Sequence, residues 1–214
     1  MPIQPVSRLA LAFVVIFGLL VQPTQAQTIK LVALGDSLTA GLGLAPSQAF
    51  PARLEAALKA RGHDVAIVNA GVSGDTASAG LARLDWSVGD DANGVIVELG
   101  ANDMLRGVDP ATTRAALDKI LQRLVDRRLP VILAGMVAVP NLGAAYMKSF
   151  DAIYPDLARK YSVVLYPFFL DGLVGRDGVW QADRMHPSPA GVDVIVERIL
   201  PVVEEFLKPL EKSS

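Results

Sequence analysis

The chain alternates two hydrophobic periodicities. Residues 28–34, 65–70, 94–99, 131–137 and 162–166 are short runs, apolar at nearly every position, with the length and β-branched content of strands covered on both faces. Between them, apolar residues recur every three or four positions, the spacing of one helix face. Residues 50–61 put Leu54, Ala57 and Leu58 on one side and end at Gly62, and residues 76–86 turn Leu81 and Leu84 inward. Residues 110–128 form the longest helix. Pro110 sits near its start, Leu117, Ile120, Leu121 and Leu124 make its apolar stripe, and Arg127 and Arg128 suit its C-terminal end. A further helix covers residues 142–161, where Pro155 marks the expected break, and residues 188–207 close the chain with a kink or junction expected at Pro201. Strands alternating with helices predict an α/β fold, a three-layer α/β/α sandwich around a five-stranded parallel sheet. Ligands of such sheets sit beyond the C-terminal strand ends. Ser37, residues 71–75 and residues 100–103 each follow a strand, so they are expected to meet at one rim.

The N-terminus does not fit this alternation. Arg8 precedes an unbroken apolar run over residues 9–21, and Thr24-Gln25-Ala26 places small residues last and third-last before a cut. This is the pattern of a secretory signal peptide, residues 1–26, cleaved after Ala26 to leave residues 27–214 as one domain. The run falls short of the ~20 residues of a spanning helix. A retained anchor is therefore the weaker reading, and no stable membrane anchor is expected after cleavage. The 214 residues include no cysteine and carry a net charge of −2. Disulfides and thiolate metal sites are excluded, and nothing marks the chain for nucleic acid or anionic lipid. With two distant histidines, His63 and His186, only carboxylates remain as further metal ligands, so no metal centre is expected.

Two segments carry the chemistry. Gly35-Asp36-Ser37-Leu38 sets a serine at the end of the first strand, and Asp183-Arg184-Met185-His186-Pro187 supplies an aspartate and a histidine three residues apart. A hydroxyl is a poor nucleophile until an imidazole takes its proton, and a carboxylate fixes that imidazole's tautomer. Ser37 is the candidate nucleophile, His186 the base and Asp183 the acid that orients it. Read singly, Ser37 equally suits a helix N-cap and Asp183 a turn cap. His63 lies in the polar turn Arg61-Gly62-His63-Asp64 and reads as a surface residue. Gly74 and Asn102, at the ends of the second and third strands, are the candidate oxyanion donors, through a backbone N–H and a side-chain amide; the Ser37 N–H is a third. Residues 75–81 and 105–109 flank these loops and are the expected acyl-pocket walls, with Gly80 and Gly107 lending mobility.

Four ordered blocks resemble the SGNH, or GDSL, hydrolase superfamily: Ser37 in Gly35-Asp36-Ser37-Leu38, Gly74 in Gly71-Val72-Ser73-Gly74-Asp75-Thr76, Asn102 in Gly100-Ala101-Asn102-Asp103, and His186 with Asp183. Glu98-Leu99-Gly100, Leu105-Arg106-Gly107, Pro140-Asn141-Leu142-Gly143 and Pro167-Phe168-Phe169-Leu170 are similar to the small secreted thioesterase/lysophospholipase/arylesterase branch. The resemblance implies a flavodoxin-like sheet, no cofactor, and hydrolysis of aryl esters, acyl thioesters or lysophospholipids by a monomer in the periplasm or medium. Met104, Arg184 and Met185 depart from the branch, which often carries smaller residues there; Met104 stands where a glycine is common. Two other readings stay open. A carbohydrate deacetylase would share the triad, though aromatics for sugar stacking are few, with Trp86 and Trp180 the only tryptophans. A non-catalytic binding module would share the scaffold.

Overall fold

The computed structural model describes residues 27–212. Five strands, β1 (Ile29–Gly35), β2 (Val65–Gly71), β3 (Gly94–Glu98), β4 (Val131–Ala134) and β5 (Val164–Tyr166), form one all-parallel sheet in the order β2-β1-β3-β4-β5. The helices are α1 (Ser37–Ala40), α2 (Phe50–Ala60), α3 (Ala77–Ala82), α4 (Leu84–Ser87), α5 (Ala101–Leu105), α6 (Pro110–Asp126), α7 (Ala144–Asp151), α8 (Ile153–Tyr161) and α9 (Pro189–Glu211). Helices α2 and α9 pack together over one face of the sheet; α3, α6 and α8 pack over the other. The expected α/β/α architecture is therefore present. The central strand β3 is buried at every position, as the unbroken apolar run requires.

Register converts this topology into a site. Gly35 at the end of β1 lies level with Gly71 of β2 and Glu98 of β3, and Glu98 lies level with Ala134 of β4. The chain thus leaves adjacent strands at one height, and the segments that follow share one rim.

Three elements differ from the sequence expectation. The helix expected over residues 76–86 is two helices, α3 and α4, broken at Arg83. Arg83 is buried, and its guanidinium donates to Gly35 O at 2.8 Å, Ala70 O at 2.8 Å and Asp75 Oδ2 at 2.5 Å, so the chain bends to point it at the ends of β1 and β2. The helix expected over residues 142–161 breaks at Ala152, not at Pro155. Pro155 sits in the first turn of α8, where no intrahelical N–H is needed. Helix α9 runs on through Pro201 to Glu211. Its buried stripe, including Ile195, Ile199, Val203 and Phe206, holds it to the sheet past the missing hydrogen bond. His63 Nδ1 lies 2.6 Å from Glu211 Oε1, a hydrogen bond between a surface loop and the end of α9. The signal-peptide expectation lies outside the described residues.

Candidate active site

Ser37 is the first residue of α1, and the Asp36 side chain caps that helix by accepting from Leu38 N at 2.9 Å. Gly35 is demanded by close approach: a Cβ there would lie 2.1 Å from Thr39 Oγ1 and 2.8 Å from Glu98 O. The serine therefore emerges where strand passes into helix within one residue, and its own N–H, at the first helical position, has no intrahelical acceptor.

The segment bearing the histidine returns to this point from the far end of the chain. Trp180 bridges Pro187, Gln181 N donates to His186 O at 2.8 Å, and Ser188 N donates to Val179 O at 2.8 Å, which fixes the loop against the start of α9. Ser37 Oγ lies 2.9 Å from His186 Nε2, and His186 Nδ1 lies 2.6 Å from Asp183 Oδ2. Asp183 Oδ1 accepts from Met185 N at 2.9 Å and His186 N at 3.0 Å. These backbone donors, together with the imidazole, hold the Asp183 carboxyl down to about 2. An ionised carboxylate only accepts, so the Nδ1 proton belongs to His186 and Nε2 is left to accept from the serine hydroxyl.

Gly74 and Asn102 reach the same cavity. Asn102 Nδ2 donates one proton to Asp36 Oδ2 at 2.9 Å, leaving its second N–H for the cavity. Gly74 has φ +88°, and a Cβ there would meet only Arg106 Nη2 at 3.5 Å. Backbone conformation, more than lack of room, is what calls for glycine at this turn. Two ties keep the two loops in register. Arg106 Nη2 donates to Gly74 O at 2.7 Å. Asp103, fully buried, accepts from Ala77 N at 2.8 Å and Thr113 Oγ1 at 3.0 Å.

The cavity over Ser37 holds about 490 Å³. Its walls correct the expectation from sequence. Of residues 105–109 only Leu105 lines it, and none of residues 75–81 does. Asp75 is drawn to Arg83 and Ala77 to Asp103, which turns that segment toward α6, where Ser78 and Leu81 face a separate hollow. Gly80 is not a hinge, because a Cβ there would lie 2.4 Å from Leu99 Cδ1; it is a close-packed position. The apolar walls come instead from the loops after β4 and β5, with Met136, Val139, Phe168 and Leu170, joined by Leu42, Met104 and Trp180. A hollow of about 750 Å³ at the opposite end of the sheet, between residues 128–131, residues 161–164 and α9, contains no histidine to activate a nucleophile.

Two buried carboxyls beneath the serine carry no role in the sequence reading. Glu98 Oε2 accepts from Thr39 Oγ1 at 2.8 Å and from Asp36 N at 3.4 Å, while its Oε1 is buried without a partner. Burial raises Glu98 well above the usual carboxylate range, and the nearby Asp36 adds to this. Burial likewise pushes Asp36 up to about 6. The folded state thus keeps protons that the unfolded chain releases above pH ~4. Unfolding then releases protons from this pair, so the pair's contribution to stability is greatest in acid and falls as pH rises from ~4 through 6 and beyond. Glu98→Gln keeps the shape and removes the penalty. Its melting temperature is expected to exceed the parent's by roughly 3–6 °C at pH 8 and to match it near pH 4. Equal melting curves at both pH values would mean that Glu98 is not held neutral.

This arrangement can perform acyl transfer: a hydroxyl with its base aligned, and anion-binding donors over the same cavity. Residues 33–194 match the GDSL-like Lipase/Acylhydrolase family, and the chain belongs to that family, as an enzyme that hydrolyses ester bonds. It is 38% identical to the Esterase TesA of Pseudomonas aeruginosa over 88% of this chain and 94% of that protein. It is 36% identical to the Thioesterase 1/protease 1/lysophospholipase L1 of Escherichia coli strain K12, over 81% of this chain and 84% of that protein. Among solved structures, AlinE4, an SGNH-hydrolase family esterase, superposes with a TM-score of 0.71 at 46% identity, covering 85% of this chain and 97% of that one.

Proposed function

We propose that this chain is a serine esterase that hydrolyses carboxylic esters and thioesters (aryl esters, acyl thioesters or lysophospholipids) through Ser37, His186 and Asp183. The carrying observation is the unbroken relay from Ser37 Oγ to His186 Nε2 at 2.9 Å and from His186 Nδ1 to Asp183 Oδ2 at 2.6 Å. His186 takes the hydroxyl proton as Ser37 Oγ attacks the acyl carbonyl. The carbonyl oxygen, now an anion, is held by Asn102 Nδ2 and the N–H groups of Gly74 and Ser37. As the tetrahedral intermediate collapses, the C–O or C–S bond breaks, and His186 gives its proton to the departing alcohol or thiol. Water then enters, loses a proton to His186 and attacks the acyl-enzyme. Ser37 leaves with that proton and the carboxylic acid is released. Asp183, ionised throughout, stabilises the imidazolium.

The apolar cavity favours an acyl chain over a sugar polymer as the bound partner. The expected signal peptide would deliver the enzyme to the periplasm or medium; among the described residues no helix is long and apolar enough to cross a membrane. The test is pre-steady-state hydrolysis of p-nitrophenyl esters from acetyl to palmitoyl. A burst approaching one equivalent of p-nitrophenol per protein, or steady turnover of any member, supports the reading. Neither with any ester or thioester defeats it.

Met104 is buried against this cavity beside Asn102. Met104→Ala is expected to shift the chain-length optimum upward, with roughly fourfold in kcat/KM for each additional CH₂ the enlarged pocket buries, ~0.8 kcal/mol apiece. An unchanged acyl-length profile would remove Met104 from the acyl wall.

A further inference from the structure

The turn that carries Gly74 is fastened at both ends to one atom. Residues 72–75 close on themselves, with Asp75 N donating to Val72 O at 3.1 Å and Gly74, the third residue of the turn, at φ +88°. At the entry, Val72 N donates to Gly35 O at 3.0 Å. At the exit, Asp75 Oδ2 accepts from Arg83 Nε at 2.5 Å, and Arg83 Nη2 donates to the same Gly35 O at 2.8 Å. The circuit is closed: carbonyl, turn, carboxylate, guanidinium and back to the carbonyl. Both lone pairs of Gly35 O are used in it. Gly35 ends β1, two residues before Ser37.

Arg83 has the shape that this circuit needs. A planar guanidinium aims separate N–H groups at a carboxylate and a carbonyl at once, which a single ammonium does not. Its Nη1 is spent on Ala70 O at 2.8 Å and Ser87 Oγ at 3.0 Å, so all three nitrogens face fixed acceptors. The side chains of Arg83 and Asp75 are only 8% and 14% exposed, and neither lines the cavity over Ser37. An effect of either on the reaction must therefore pass through the backbone that they hold. Arg106 holds Gly74 O from the end of α5, an exposed tie to the Asn102 loop and not to the serine strand. An oxyanion donor works within about 2.7–3.1 Å of the place where charge develops, and a misplacement of ~1 Å can cost 10²-fold in rate.

From this closed circuit, and resting on the serine-esterase reading above, we infer that Arg83 and Asp75 are positioning residues for the reaction: they set the Gly74 N–H at its place relative to Ser37, and so support the oxyanion without meeting the substrate.

Two variants test it. Arg83→Lys keeps a charge opposite Asp75 and loses the fork; Asp75→Asn keeps the fork and weakens its grip on the turn. Active serine is counted first, from the p-nitrophenol released as ethyl p-nitrophenyl hexylphosphonate reacts to completion, so misfolded protein does not enter the rates. Per titrated serine, Arg83→Lys is expected to lose about 30-fold in kcat on p-nitrophenyl butyrate and Asp75→Asn about fivefold, each with KM within about twofold of the parent's. Affinity for butylboronic acid, whose serine adduct is tetrahedral and anionic, should fall by the same factors. The double variant should be little slower than Arg83→Lys alone, because both residues act through one link. Arg114→Gln, which breaks the ion pair between α6 and α8 with Asp156, should lower the melting temperature and leave kcat and boronate affinity at the parent's values. A lowered melting temperature with kcat per titrated serine unchanged in both variants overturns the inference. So does a loss carried by KM alone with boronate affinity unchanged. If Arg83→Lys yields no folded protein, Asp75→Asn decides by the same readouts. A parent that neither reacts with the phosphonate nor hydrolyses the ester defeats the esterase reading itself, a result distinct from these.

Discussion

Ser37→Ala is expected to lower kcat on every ester by about 10⁴-fold or more, with KM and melting temperature close to the parent's. Only one oxygen is removed. The Ser37 side chain supports no backbone group among the described hydrogen bonds; Asp36, not Ser37, caps α1. The turn itself is held by Gly35, Glu98 and Arg83, none of which is disturbed. The cavity over Ser37 and the Asn102 amide also survive, so substrate is expected still to bind while the covalent step has no nucleophile. His186→Ala should fall nearly as far, because a neutral hydroxyl 2.9 Å from nothing basic does not attack. The double variant should be little slower than either single one, since the two groups act as a unit. Multiplicative losses in the double variant, or a Ser37→Ala protein within tenfold of the parent, would mean that the reacting oxygen lies elsewhere.

The parts of this site that the sequence makes legible are those where local chemistry and strand position coincide. Ser37, Gly74 and Asn102 each follow an apolar run, and parallel pairing in register brings all three to one rim. Asp183 and His186 are three residues apart, and their bond needs one turn and no knowledge of the rest of the fold. What the sequence hides is non-local. Arg83 reads as an ordinary polar position in a helix; its work is to join the ends of β1 and β2, and this breaks the helix. The cavity walls come from the loops after β4 and β5, whose apolar residues follow no period that distinguishes a wall from a core. Residues 75–81 look like a wall because they flank Gly74, yet the Asp75–Arg83 and Ala77–Asp103 bonds turn them away. Glu98 did leave a signal: a lone carboxylate ends the fully apolar run Gly94–Glu98, on a strand whose every neighbour is buried. A charge in that position needs either a partner or a proton.

Asn102→Ala is expected to lower kcat about 10²–10³-fold with a small change in KM, the usual cost of one lost oxyanion donor. The argument turns on how the amide is shared. One N–H is committed to Asp36 Oδ2 at 2.9 Å, which aims the other at the cavity beside Ser37. Asp36 in turn is oriented by its cap to Leu38 N and lies against Glu98. The donor is therefore held from below by the same residues that hold the serine, so it needs no reorganisation when the carbonyl oxygen becomes an anion. Truncation removes this prepaid orientation and leaves Asp36 Oδ2 without its amide, in a position already costly for a charge. Asn102→Asp, nearly the same shape, should restore nothing: it replaces a donor with an acceptor and sets a second carboxylate against Asp36. Single-turnover acylation rates separate the contributions. A loss confined to kcat and shared by esters of all chain lengths assigns Asn102 to the oxyanion, whereas a loss confined to KM, or to long chains alone, would make it part of the acyl wall instead.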